Sequence, residues 1–233
     1  MVLPLLLSSP HAGLMVPDYL KANCLLTVDE IVKDGDEYAQ AIYAPLKEKV
    51  QAFVSSDIAR AVLDLNRAED DIRKDGVVKT HTCWENKIWR QMLDQDAIQT
   101  LLNAHHRPYH QQLSTYAKQK ELLFAVDCHT MAAFGPPVGP DPDASRPNVC
   151  LGNANGQSCP EEMMDIILSA FQAHFPGEVT VNRPFSGGYI TQQHGKEMPW
   201  VQLELSRGDF ATPEKKSEWV YAALKMAVEG LVS

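Results

Sequence analysis

The sequence predicts an α/β fold, with a central, mainly parallel sheet and helices on both sides. Three features predict it. Short, continuous apolar runs such as Val2 to Ser8 and Leu122 to Val126 have the pattern of strands covered on both faces. Segments of helical periodicity separate them, and Pro- and Gly-rich stretches mark the turns. No repeat, low-complexity tract or long linker interrupts the 233 residues, so a single domain over 1–233 is expected. With 45% hydrophobic residues the chain can build its own core. A bound metal would therefore serve chemistry rather than folding.

The elements follow in order. Val2 to Ser8 is the first strand. Asp36 to Phe53 carries Tyr38, Ile42, Leu46, Val50 and Phe53 at helical spacing and is expected to be an amphipathic helix. Ile58 to Leu65 reads as a second buried strand. Trp84 to Lys120 is mostly helical in pattern, with Pro108 as its break or kink. Leu122 to Val126 is a third strand, and Gly135 to Pro147 an irregular loop. Asn148 to Leu151 is a short strand. Ser158 and Glu161 match a capping box, opening a helix that runs to about Ala173. Val179 to Val181 and Trp200 to Leu205 are further strands. Thr212 and Pro213 start a final helix with Val220, Leu224, Val228 and Leu231 on one face.

The net charge of −9 argues against a nucleic-acid or anionic-membrane partner, which would need clustered Lys and Arg. The apolar run at the N-terminus is too short to span a bilayer and lacks the basic residues of a signal peptide. Five scattered cysteines without a CxxC pair fit a reduced, cytoplasmic compartment. The oligomeric state is left open.

Sheets of this kind place active sites outside the carboxyl ends of their strands. Four expected strands carry polar clusters there: Ser8 to Gly13, Asp64 to Arg67, Asp127 to Thr130, and Glu204 with Arg207. His11 and His129 are the natural metal-ligand pair, and a catalytic zinc usually takes three protein ligands. Asp36 is the chosen third ligand, with Glu37 behind it, although an acidic residue there also suits a helix cap. Asp127, two residues before His129, either orients that imidazole or caps a turn. Glu204 is the only charged residue in an apolar strand. It is either a general base and acid or half of an ion pair.

Asn66, Arg67 and Arg146 are the candidates for binding a substrate carboxylate, with Arg183 and Arg207 in reserve. Gly187 to Gly195 is expected to form a glycine turn, a short strand and another turn. There, Tyr189 or His194 would bind the scissile carbonyl oxygen, unless the segment is a plain hairpin. His105, His106 and His110 lack an HExxH arrangement and read as structural.

Seven stretches in order resemble the N-formylglutamate amidohydrolases, a family distantly similar to zinc carboxypeptidases and aspartoacylase. They are SPHAG (9–13), DLNR (64–67), RPYH (107–110), DCHT (127–130), RPNVCLGNANGQSC (146–159), NRPFSGGYITQQHG (182–195) and QLELSR (202–207). The resemblance implies a phosphorylase/hydrolase-like, three-layer α/β/α sandwich with a mixed, mainly parallel sheet. It implies one Zn2+, or another divalent metal, per chain, with His11 and His129 at the metal and Glu204 as the acid/base. It points to Asn66, Arg67 and Arg146 for the carboxylate of a small-molecule N-acyl amino acid. The stretch Thr130-Met131-Ala132-Ala133 after His129 departs from the family's pattern of a serine and a nearby arginine. This bears on the substrate more than on the reaction. A carboxypeptidase- or aspartoacylase-like hydrolase, and a non-catalytic binding protein on the same fold, are the alternatives.

Overall fold

The computed structural model describes all 233 residues. Six strands form one sheet: β1 (Leu3–Ser9), β2 (Val50–Ser55), β3 (Phe124–Met131), β4 (Val149–Gly152), β5 (Val179–Val181) and β6 (Trp200–Ser206). Their spatial order is β2-β1-β3-β6-β4-β5, parallel throughout except where β4 runs antiparallel to β6. The sheet is thus mixed and mainly parallel, flanked by helices. The helices are α1 (Asp18–Lys21), α2 (Val28–Asp34), α3 (Ala39–Tyr43), α4 (Gln95–Leu101), α5 (Arg107–Tyr116), α6 (Glu161–His174), α7 (Tyr189–His194) and α8 (Pro213–Leu231). No helix is long and apolar enough to cross a membrane.

The two faces of the sheet differ, and the difference positions the site. On one face Leu3, Leu5 and Leu7 of β1 line up with Phe124, Val126 and Cys128 of β3 and Val201, Leu203 and Leu205 of β6. This face is apolar until Ser9 and Thr130 near the strand ends, and it packs with buried residues of α3, α6 and α8. The other face starts apolar, with Leu6, Ala125 and Trp200. One step further along, it turns polar: Ser8 pairs with Asp127, Asp127 with Gln202, and His129 with Glu204. Because side chains alternate in a strand, Asp127 and His129 share this face, as do Gln202 and Glu204.

Several local expectations are corrected. The helix expected over Asp36 to Phe53 is α3, then a 3-10 segment Ala44–Lys49, then β2. Pro45 lacks the N–H that a continuing helix needs, and Val50, Ala52 and Val54 bury at the two-residue period of a strand. The strand expected at Ile58 to Leu65 is instead a buried turn segment, touching Gly13 and Met15 through isolated bridges. An apolar run this short marks burial without distinguishing a strand from a packed turn. Gly13 is required there, because a Cβ would lie 2.2 Å from the Asp57 carbonyl carbon.

Within Trp84 to Lys120, residues 84–94 are irregular, and Pro108 sits in the first turn of α5 after a π-helical segment Leu102–His106. The capping box at Ser158 does not form. Pro160 precedes α6 without a side-chain cap, and Ser158 Oγ donates to the Trp200 carbonyl. The strand expected after Gly188 is the short helix α7. Other expectations hold closely: β5 has the expected bounds, and Thr212 caps α8 by accepting from Lys215 N.

Candidate active site

The polar ends of β1, β3 and β6 open into a cavity of about 540 Å³. His11 follows β1, Asp36 lies in the turn before α3, and His129 is in β3. The structure brings these three together, with ligand-type atoms within 4.8 Å of one another. Asp36 Oδ2 lies 2.9 Å from His129 Nδ1 and 3.6 Å from His11 Nδ1. The opposite nitrogens are anchored to other carboxylates: His11 Nε2 to Asp64 Oδ1 at 2.8 Å, and His129 Nε2 to Asp127 Oδ2 at 2.8 Å.

Both imidazoles therefore turn Nδ1 toward a shared acidic centre and fix Nε2 against a carboxylate. Metal-binding histidines are oriented in this way, with the outer carboxylate setting the tautomer. Two imidazole nitrogens and one carboxylate oxygen are also a donor set that suits a divalent ion with one position open. All five side chains are buried. The residues present fit a metal.

The electrostatics agree. Burial opposes charging of His129, but Asp127 and Asp36 outweigh it and raise its pKa well above the usual range. Burial likewise disfavours the Asp36 carboxylate, yet His11 and His129 hold its pKa below the usual range. Asp64 is also buried, and His11 and Arg60 keep it ionised far into acid. Such a pocket collects positive charge.

Glu204 lines the same cavity and is only 8% exposed. Its Oε1 accepts from Gln202 Nε2 at 2.9 Å, and Gln202 Oε1 in turn accepts from Gly188 N at 2.6 Å. Burial pushes its pKa up to about 7, against the pull of His129. No arginine pairs with it, so the ion-pair reading of this residue is set aside.

Asn66 stands at the centre of the arrangement. Its Nδ2 lies 3.2 Å from both Asp127 Oδ2 and His129 Nε2, and its Oδ1 accepts from Ile190 N at 2.8 Å. Gly188 must be glycine for this: a Cβ there would fall 2.3 Å from Asn66 Nδ2. Arg67 also lines the cavity, held by the Asp75 carbonyl at 3.1 Å.

The structure does not bring every candidate to the cavity. Arg146 reaches the wall, but its guanidinium is clamped by both oxygens of Asp141, at 2.8 and 2.6 Å. The loop over Gly135 to Pro147 thus uses this arginine to hold itself. Tyr189 and His194 lie outside the lining. Because their segment forms a helix, His194 turns away and stacks on His110, with ring centroids 5.1 Å apart, and Tyr189 packs edge-on against the same ring. Glu37 does not join the histidine pair; it lies 3.9 Å from Arg207. Arg183 is absent from the wall, whereas Arg207 is part of it.

Sequence reasoning missed Asp64, Gln202 and Arg60. Asp64 belongs to the same polar cluster as Asn66, and the signal was available there. Gln202 was legible from strand alternation, two residues before Glu204. Arg60, whose Nε donates to Asp64 Oδ2 at 3.1 Å, left no signal in the sequence.

A family model described as N-formylglutamate amidohydrolase matches residues 3–210. An N-formylglutamate deformylase of Pseudomonas putida is 27% identical over 222 residues, covering 89% of this chain and 82% of that protein. One from Pseudomonas aeruginosa is 24% identical over 251 residues, covering 99% and 93%. Among solved structures, an N-formylglutamate amidohydrolase from Ralstonia eutropha superposes with a TM-score of 0.79 at 17% identity, covering 98% of this chain and 92% of that one. A gene product of Agrobacterium tumefaciens gives 0.78 at 17% identity, with coverages of 98% and 90%. At these identities the two structures speak for the fold.

Proposed function

Because the chain belongs to the N-formylglutamate amidohydrolase family, we propose that it hydrolyses the amide bond of a small N-formyl or N-acyl amino acid such as N-formylglutamate. His11, Asp36 and His129 would hold one zinc ion, and Glu204 would move the proton. The observation that carries this reading is the buried His-Asp-His group sharing its cavity with a carboxyl whose pKa is raised to about 7.

A divalent ion bound there supplies Lewis acidity toward a carbonyl oxygen and lowers the pKa of a water molecule. Glu204, as the carboxylate, accepts a proton from the attacking water. It then returns that proton to the departing amine nitrogen, so formate (or another acid) and a free amino acid result. A pKa near neutrality suits both halves of that task. Gln202 holds one oxygen of Glu204 and leaves the other for the reaction. Asp64 and Asp127 keep the imidazoles in one tautomer and orientation. Asn66 and Arg67, which line the cavity wall, would bind the substrate's α-carboxylate.

All five cysteines are unpaired, which suits a reducing cytoplasm. The net charge of −9 suits a small-molecule partner better than nucleic acid.

The test is a panel of N-formyl and N-acetyl amino acids, assayed with and without a chelator, together with metal analysis of the purified protein. The expected result is about one equivalent of zinc and hydrolysis that chelation abolishes and added zinc restores. A metal-loaded protein that cleaves no compound in the panel would refute the assignment and favour a non-catalytic binding role.

A further inference from the structure

The RPYH stretch (107–110) opens α5 and lies outside the cavity lining. Its tyrosine nevertheless reaches the polar face of the sheet. Tyr109 is buried, and its hydroxyl lies 2.9 Å from Ser8 Oγ. Ser8 belongs to β1, is fully buried, and sits beside Asp127 where β1 pairs with β3. Its Oγ donates to Asp127 Oδ1 at 3.0 Å. That bond uses the single hydroxyl proton of Ser8, so in the Tyr109–Ser8 contact the phenol is the donor. The other acceptor near the phenol, the Val54 carbonyl, is 3.4 Å away. Burial pushes the Tyr109 pKa well above its usual range, so the phenol keeps its proton. Every bond in the chain therefore has one direction: Tyr109 to Ser8, Ser8 to Asp127 and, at the other carboxylate oxygen, His129 Nε2 to Asp127.

The two carboxylates behind the histidines are held differently. Asp64 takes a charged donor, Arg60 Nε, at 3.1 Å. Asp127 pairs with no lysine or arginine; apart from His129, its side-chain donors are the neutral Ser8 hydroxyl and Asn66 amide. A buried carboxylate without a cation depends on such donors, because leaving part of its charge unmet costs more than one bond contributes.

We propose that Tyr109 and Ser8 are positioning residues that hold the His129 imidazole through Asp127. The proposal deepens the function proposed above, in which His129 would be one of the zinc ligands, and it gives the RPYH tyrosine a task.

The experiment measures zinc affinity by competition with a chromophoric chelator for Tyr109→Phe and Ser8→Ala, each made in wild type and in Asp127→Asn. Ser8→Ala should bind zinc about 10-fold more weakly, the low end for partners that orient a metal-binding histidine. Tyr109→Phe should lose about 3–10-fold, the size of one neutral hydrogen bond. In the Asp127→Asn background both losses should vanish, because the chain has nothing left to act through. Equal losses in the two backgrounds would mean packing alone and overturn the proposal, as would unchanged affinity in both single variants. A second readout needs no metal. In the metal-free protein with isotope-labelled histidine, the NMR resonance of the His129 Nε2–H proton should move in Tyr109→Phe and in Ser8→Ala; a resonance unmoved in both overturns the proposal. If wild type binds no zinc, the metal reading fails, while this resonance still decides the role of Tyr109 and Ser8.

Discussion

Two histidine clusters lie on the same side of this sheet, and they have opposite electrostatics. In the first, both nitrogens of His11 and of His129 face carboxylates, from Asp36, Asp64 and Asp127. In the second, His106 and His110 meet carbonyl oxygens. His106 Nε2 lies 2.8 Å from Arg67 O, and His110 Nε2 lies 3.0 Å from Leu65 O. His110 Nδ1 lies 2.8 Å from His194 Nε2, and only His194 meets a carboxylate, Glu197 at 2.9 Å. Burial, helped by the neighbouring imidazoles, pushes the pKa of His110 down to about 3, whereas His129 is driven the other way. The same side chain therefore becomes a seat for a cation or a neutral strut, according to what surrounds it. The clusters are also connected. His106 and His110 clasp the carbonyls on either side of Asn66, the residue whose amide touches His129.

The largest effect is expected from Glu204, which borders the acidic cluster. Glu204→Gln should retain metal and lose about 10²–10⁴-fold in kcat, the usual contribution of a positioned proton-transfer group. The same substitution has a second signature in the metal-stripped protein. The folded pKa of Glu204, about 7, is above the ordinary value of 4.5. Its contribution to stability is therefore complete below about pH 4.5 and lost as pH rises through 7. Glu204→Gln should accordingly be more thermostable than wild type at pH 8, by on the order of a few kcal/mol, with the difference shrinking toward pH 5. Melting curves across that range check this, and a variant less stable at pH 8 would contradict the buried-acid picture.

Weakening the acidic surroundings of the first cluster comes next. Asp64→Asn and Asp127→Asn should each lower metal affinity about 10–100-fold, measured by competition with a chromophoric chelator. Equal affinity in both variants would mean that the outer carboxylates do not orient the imidazoles.

The smallest effect is expected in the second cluster. His110→Gln should raise KM severalfold through a loosened Asn66 while leaving metal affinity near wild type. A pH signature separates this role from simple packing. The folded pKa of His110, about 3, is below the ordinary 6.5, so the unfolded chain takes up its proton first. Stability should then fall as pH drops from 6.5 toward 3. In His110→Gln that acid-side slope should be shallower; an identical slope in both proteins would remove His110 from the account.

Much of this arrangement is written locally in the chain. Apolar runs with two-residue alternation place β3 and β6, and alternation alone puts Asp127 with His129 and Gln202 with Glu204. Thr212 and Pro213 specify the start of α8 through capping chemistry that needs no other part of the protein. The polar residues at strand ends made His11, His129 and Glu204 legible as one group, because parallel strands bring their carboxyl ends to a common edge.

The rest depended on partners remote in sequence. Asp64 meets His11 across 53 residues, and Asp36 meets His129 across 93. Periodicity carries no record of such distances. Folding also separated residues that look alike on paper: Arg146 is closed off by Asp141 while Arg207 is left open, and His194 turns away from the cavity into a buried stack on His110 because its segment coils into α7. Hydrophobic period and capping act over a few residues and are visible in order along the chain. The charge and availability of a side chain are set by what packs around it, and that is decided only when the sheet and its loops come together.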